Sequence, residues 1–140
     1  MRKSLLIIIL MFISLFSDGR TYYFMSFHLY TNENDKYEEK GVVYSPSIVE
    51  INEENNEAVL RLYINNEDNK GWLSFNFTII KKLFLDNDII VYIIQNNIEE
   101  KGYIYLSPMH KNGLFIDINN FFINNQHLCC WMQEPIKISN

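Results

Sequence analysis

In "WLSFNFTII", residues 72–80, Leu73, Phe75, Phe77 and Ile79 alternate with Trp72, Ser74, Asn76 and Thr78. Successive side chains on a strand point to opposite faces, so this period of two predicts a half-buried strand with one apolar and one wet face. A helical period of 3.6 would scatter the same four apolar residues around its axis. The first commitment is therefore to β-structure.

The same style continues on either side. In "SIVEI" (47–51) Val49 and Ile51 share a face, and in "AVLRLYI" (58–64) Leu60, Leu62 and Ile64 oppose Arg61 and Tyr63. Between them "NEENNE" is built of residues that bond their own backbone in turns. "TYYFMSFHLYT" is aromatic and β-branched enough for a first strand from Thr21 to Thr31. The charged "NENDKYEEKG" (32–41) after it is expected to be a solvated connection. "DIIVYIIQ" (88–95) is apolar on both faces and belongs centrally or under a covering element. "YIYLS", "LFIDI" and "FFI" follow, separated by "PMHKNG" and by Asn119-Asn120, a two-residue polar break that suits a tight hairpin.

Strands recurring with turn chemistry about every 10–14 residues are the pattern of an all-β fold. The expectation is an antiparallel β-barrel or β-sandwich of about eight to nine strands, mostly a meander. The one helical candidate is "TIIKKLFLD" (78–86), where Ile79, Ile80, Leu83 and Phe84 would share a face.

The N-terminus reads as an address. Arg2 and Lys3 precede an apolar run from Leu5 to Phe16, and Ser17 and Gly19 supply small residues at its exit, the pattern of a secretory signal peptide. As a helix that run would span about 18 Å, short of the ~30 Å hydrocarbon core of a bilayer. Residues 1–19 are thus expected to be a signal peptide and 20–140 a single β-rich domain, secreted or periplasmic, with no stable membrane span after cleavage.

Without Arg2, Lys3 and Asp18 the remaining chain carries 10 cations and 16 anions, a net charge of −6. That sign repels phosphate backbones and argues against nucleic acid as a partner. No Gly-x-Ser-x-Gly elbow or glycine-rich phosphate cradle occurs, and Ser107-Pro108-Met109-His110 reads as a turn. The acidic pairs sit in turns, where water keeps them ordinary acids. No calcium loop or zinc spacing is present, so no metal and no cofactor is expected.

Both cysteines lie in "HLCCW" (127–131). As a strand it sends His127, Cys129 and Trp131 to one face and Leu128, Cys130 and Met132 to the other. Consecutive Cα atoms 3.8 Å apart in extended backbone are poorly placed for a disulfide. Cys129 and Cys130 are therefore candidate reactive thiols, only one of them facing the core. Asn76-Phe77-Thr78 matches a glycosylation sequon, with Asn76 on the wet face.

The first strand carries more apolar surface than a single-sided strand needs. Tyr22, Phe24, His28 and Tyr30 on one face are the expected ligand or partner surface. By elimination the function expected is that of an exported, non-enzymatic binding or interaction domain, its partner an unidentified protein or small apolar ligand. The alternative is a lipocalin-like carrier of a small apolar ligand, which suits the length and the meander. The Gly-x-Trp of a lipocalin's first strand is missing, and no family is assigned.

Overall fold

The computed structural model describes residues 19–34, 36–65, 67–121 and 126–139; for 32, 33, 109, 119–121, 126 and 127 it describes the backbone only. The signal segment expected over residues 1–19 lies outside the described residues except for Gly19. Among the described residues eleven strands form one antiparallel meander sheet that curls into a barrel-like shell. They are β1 (Gly19–Phe24), β2 (Phe27–Glu33), β3 (Lys36–Val43), β4 (Ser47–Asn52), β5 (Glu57–Asn65), β6 (Lys70–Phe84), β7 (Ile90–Gln95), β8 (Lys101–Ser107), β9 (Gly113–Phe121), β10 (Gln126–Met132) and β11 (Lys137–Ser139). Among the described residues no helix is long and apolar enough to cross a membrane.

The sheet order is β11-β1-β4-β5-β6-β7-β8-β9-β10-β2-β3. Only Met25 and Ser26 separate β1 from β2, yet eight strand spacings lie between them in that order. Laid flat, eight spacings would put them ~38 Å apart. Two residues and their flanking bonds reach only about 10 Å. The sheet has to curl until its ends approach, and the chain 19–33 is the tie between them.

The expected count of strands is slightly low because long strands are broken. The run expected from Thr21 to Thr31 is interrupted at Met25–Ser26, and residues 44–46 break β3 from β4 opposite it. Three other readings are corrected. The charged 32–41 segment is solvated over β3 as expected, but it is no connection: it holds the end of β2, a turn at Asn34 and most of β3, whose side chains are exposed up to Val42, so burial left no periodicity to read. Asn119-Asn120 is not a hairpin, since β9 runs through both to Phe121. Of the helical candidate 78–86, residues 78–84 are the end of β6, which stops at Phe84.

One face of the curled sheet carries the core: Tyr22, Phe24, Phe27, Val49, Ile51, Leu60, Phe75, Phe77, Ile79, Ile94, Ile104, Leu114, Ile116, Cys130 and Met132 among others. The alternation of 72–80 holds, with Phe75, Phe77 and Ile79 buried and Trp72, Ser74, Asn76 and Thr78 exposed. Gly102 on β8 is needed for close approach, as a Cβ there would lie 2.9 Å from the Asp117 carbonyl oxygen. One end of the core is closed by a polar cluster. Tyr92 Oη and Lys82 Nζ both donate to Glu53 Oε1, at 2.6 and 2.7 Å.

Candidate functional site

Among the described residues two buried apolar ones, Val91 and Cys129, lie outside the core cluster. They mark a second packed layer on the opposite face of the sheet. Its floor is a single cross-strand row: Trp131 on β10 pairs with Phe115 on β9, Phe115 with Tyr105 on β8, and Tyr105 with Val91 on β7. Directly opposed side chains on one face pack together, which makes such a row a continuous apolar strip.

The strip is walled from outside its own strands. Tyr37 on β3 stands edge-on to Phe115, with centroids 5.3 Å apart and planes at 87°, and Tyr30 on β2 packs on the same ring at 6.1 Å. Tyr37 Oη donates to Asp117 Oδ2 at 2.8 Å, which ties the hairpin of β2 and β3 to β9. A bulge aims the hairpin there. Leu29 pairs with Gly41 and Tyr30 with Glu39, leaving Lys40 over, and Gly41 takes a φ of 152° that L side chains rarely adopt. Gly113 makes room for Trp131, whose ring would lie 2.9 Å from a Cβ at that position.

The result is a cleft of about 450 Å³ lined by Tyr37, Ile89, Tyr105, Ser107, His110, Phe115 and Trp131. It is within the size range of small-molecule sites and is mostly aromatic, with Ser107 and His110 among its polar members. Within this lining Ser107 Oγ and His110 Nδ1 are 2.6 Å apart across the short 3-10 turn Pro108–His110. This contact spans one turn and fixes the ring that faces the cleft. Around the cleft, burial raises the Tyr37 and Tyr105 phenols, and the hydrogen bond and charge of Asp117 add to this at Tyr37, its charge at Tyr105. These phenols stay neutral donors.

The four aromatic and histidine residues expected on one face of the first strand are divided. Tyr22 and Phe24 are in the core, at 1% and 2% exposure, whereas His28 and Tyr30 are on the opposite side. The reason is the break at Met25–Ser26: Phe24 and Phe27 both enter the core, so the alternation changes phase between them. Tyr30 borders the cleft through Phe115. His28 Nδ1 instead contacts Glu39 Oε1 at 2.7 Å across the hairpin.

Cys129 and Cys130 do face opposite sides, but neither is exposed and both are free thiols. Cys130 is packed in the core with Met132. Cys129 lies beneath the aromatic layer, where burial, and then the Asp117 charge, push its thiol up to about 12. Burial likewise raises Cys130. The expectation that the thiol facing away from the core would be reactive overlooked a second layer. His127's side chain lies outside the described residues. Among the described residues no group of three or more His, Cys, Asp or Glu is arranged to hold a metal ion.

Sequence reading singled out Trp131 and Tyr30 but missed Tyr37, Ile89, Tyr105, Ser107, His110 and Phe115 as one site. A signal existed: "YIYLS", "LFIDI" and "HLCCW" each carry aromatic or apolar residues on both faces, more than one core can use. No family model matches the chain, and neither a curated protein nor a solved structure matches it, so the cleft is read from its own geometry.

Proposed function

We propose that this chain is an exported, non-enzymatic binding domain and that its contact site is the aromatic cleft on the face opposite the core. The observation that carries the reading is the space itself, about 450 Å³ bounded by four aromatic rings from β3, β8, β9 and β10. Large apolar clefts with a few polar groups are the common form of small-molecule sites. The export component rests on the Met1–Gly19 pattern alone.

The meander also supports a lipocalin-like carrier, but such a carrier holds its ligand inside the shell. Here the inward positions carry Tyr22, Phe24, Phe75, Phe77, Ile94 and Ile116, all buried against one another. The outer cleft is the better candidate for an occupant. Native mass spectrometry of the protein purified from its own source tests the reading. A retained small mass or discrete partner that is lost on Trp131→Leu is expected. Retention that persists in the variant would place binding elsewhere, and bare monomer in every preparation would count against the reading as a whole.

A further inference from the structure

We propose that Asn76 is an N-glycosylation site, its side-chain amide joined to an oligosaccharide as the chain is exported. This rests on the export component of the reading above and not on the cleft.

In Asn76-Phe77-Thr78 an asparagine is followed at the second place by a hydroxyl, with no proline between, which is the acceptor pattern for this transfer. The sequence contains the pattern once, although it is rich in asparagine. In the step, Asn76 Nδ2 forms a bond to the anomeric carbon of a polyprenyl-diphosphate-linked oligosaccharide. The bond from that carbon to the diphosphate oxygen breaks, the lipid diphosphate leaves with the electron pair, and Nδ2 gives up one proton.

A sugar added to the emerging chain has to be accommodated by the fold, as it is bulky and belongs at the surface. Phe77 points into the core at 5% exposure, whereas Asn76 and Thr78 on either side of it are exposed. The triplet therefore straddles β6 with its apolar anchor inside and both recognised groups outside. The core occupies the inner face of the curl, so Asn76 stands on the convex face, where neighbouring side chains diverge. One of its flanks is open as well. Asn76 is opposite Val59 on β5, but the β6–β7 ladder runs only from Thr78 and Gln95 to Phe84 and Ile90, short of Asn76.

The position also roots a glycan away from the cleft. Leu83 pairs with Val91, in the row that floors the aromatic strip. Asn76 lies back along β6 from Leu83 by roughly 23 Å, at about 3.3 Å per residue. Binding at the cleft and modification at Asn76 are thus compatible.

The test expresses the full chain, with its own N-terminal residues, in eukaryotic secretory cells and compares intact masses of the secreted protein before and after peptide N-glycosidase. Wild type is expected to carry one glycan, whose enzymatic removal in heavy-oxygen water leaves a mass label at position 76. Asn76→Gln and Thr78→Ala should lose the glycan completely and still be secreted, since neither side chain is part of the core. Thr78→Ser keeps the hydroxyl and should keep the glycan. A second set replaces residues 1–19 by a foreign cleavable leader. Wild type that is secreted but unmodified in either set would overturn the site and leave the export reading standing. Modification behind the foreign leader alone would uphold the acceptor and remove the export reading. A glycan retained in Asn76→Gln would overturn the assignment, and so would glycosylated wild type secreted tenfold less than that variant, since the fold would then not accommodate a sugar there.

Discussion

Cys129 and Cys130, on opposite faces of β10, are both buried, but by different means. Cys130 and Met132 meet a core to which nearly every strand contributes, whereas on the Cys129 side Tyr37 of the β2–β3 hairpin reaches across β10 to Phe115 and Asp117 of β9, and Trp131 stays partly exposed. The core face is sealed by many overlapping contacts. The other depends on a few residues of β2 and β3, most of whose side chains are in water. Equal burial therefore conceals unequal resistance to change, and the weaker side is the one with room for an occupant.

The largest effect expected is on the core side. Leu114→Ala removes a fully buried side chain beside Ile116 and Met132, and should cost about 3 kcal/mol in denaturant unfolding. A cost below about 1 kcal/mol would mean that the core is looser than its burial implies. Phe115→Leu, one residue along and facing the other way, keeps an apolar floor and should cost about half as much. Near-equal costs would erase the distinction between the faces.

Next comes the hairpin. Gly41→Ala forces an L residue into a φ of 152°, with a strain cost of about 1–3 kcal/mol. Because the bulge belongs to β2–β3, the loss should appear as local opening. Hydrogen exchange should quicken in β3 while β8 and β9 amides keep their protection.

Thiol chemistry reads the two faces directly. At pH 8 a thiol pushed up to about 12 is ionised in only about one molecule in ten thousand, so Cys129 in the intact fold should be nearly inert. Tyr37→Ala removes both a ring and the hydroxyl bonded to Asp117. Labelling of Cys129 should then rise at least tenfold, with Cys130 still protected, as located by peptide mass spectrometry. Simultaneous labelling of both would show that the variant unfolds globally.

These expectations mark how far the sequence could be read. The strands with a strict period, such as 72–80, declare themselves because one side is dry and the other wet. The two faces at 127–132 followed from strand geometry alone, and Leu128, Cys130 and Met132 do pack toward the core. What stayed hidden was the cover. Whether Cys129 faces water or Tyr37 depends on a hairpin eighty residues away from Asp117 in the chain, aimed by a bulge at Gly41. No local pattern encodes that. Likewise a break of two residues at Met25–Ser26 moved Tyr22 and Phe24 away from His28 and Tyr30, because alternation cannot be carried across a kink that only tertiary closure requires.

The smallest expected effect concerns the polar groups that close each layer. Tyr37–Asp117 does this on the cleft side and Tyr92–Glu53, joined by Lys82, at the end of the core. Burial alone would raise the Glu53 carboxyl, but the hydrogen bonds from Lys82 and Tyr92 and the charges of Lys82 and Arg20 outweigh it, so its pKa is lowered below 4.5. In the unfolded chain the carboxyl takes its proton near that ordinary value. Between the two values the unfolded state holds more protons, so stability is present above about pH 4.5 and is lost as pH falls through the folded value. Glu53 is partly solvated, which screens the contribution to about 1 kcal/mol or less. Glu53→Gln should therefore be less stable than wild type near pH 7, and the two unfolding free energies should converge as pH is lowered below 4.5. A gap unchanged down to pH 3 would mean that Glu53 acts by shape alone. The core end would then be closed by neutral contacts, unlike the cleft side, where Tyr37 donates to the Asp117 carboxylate.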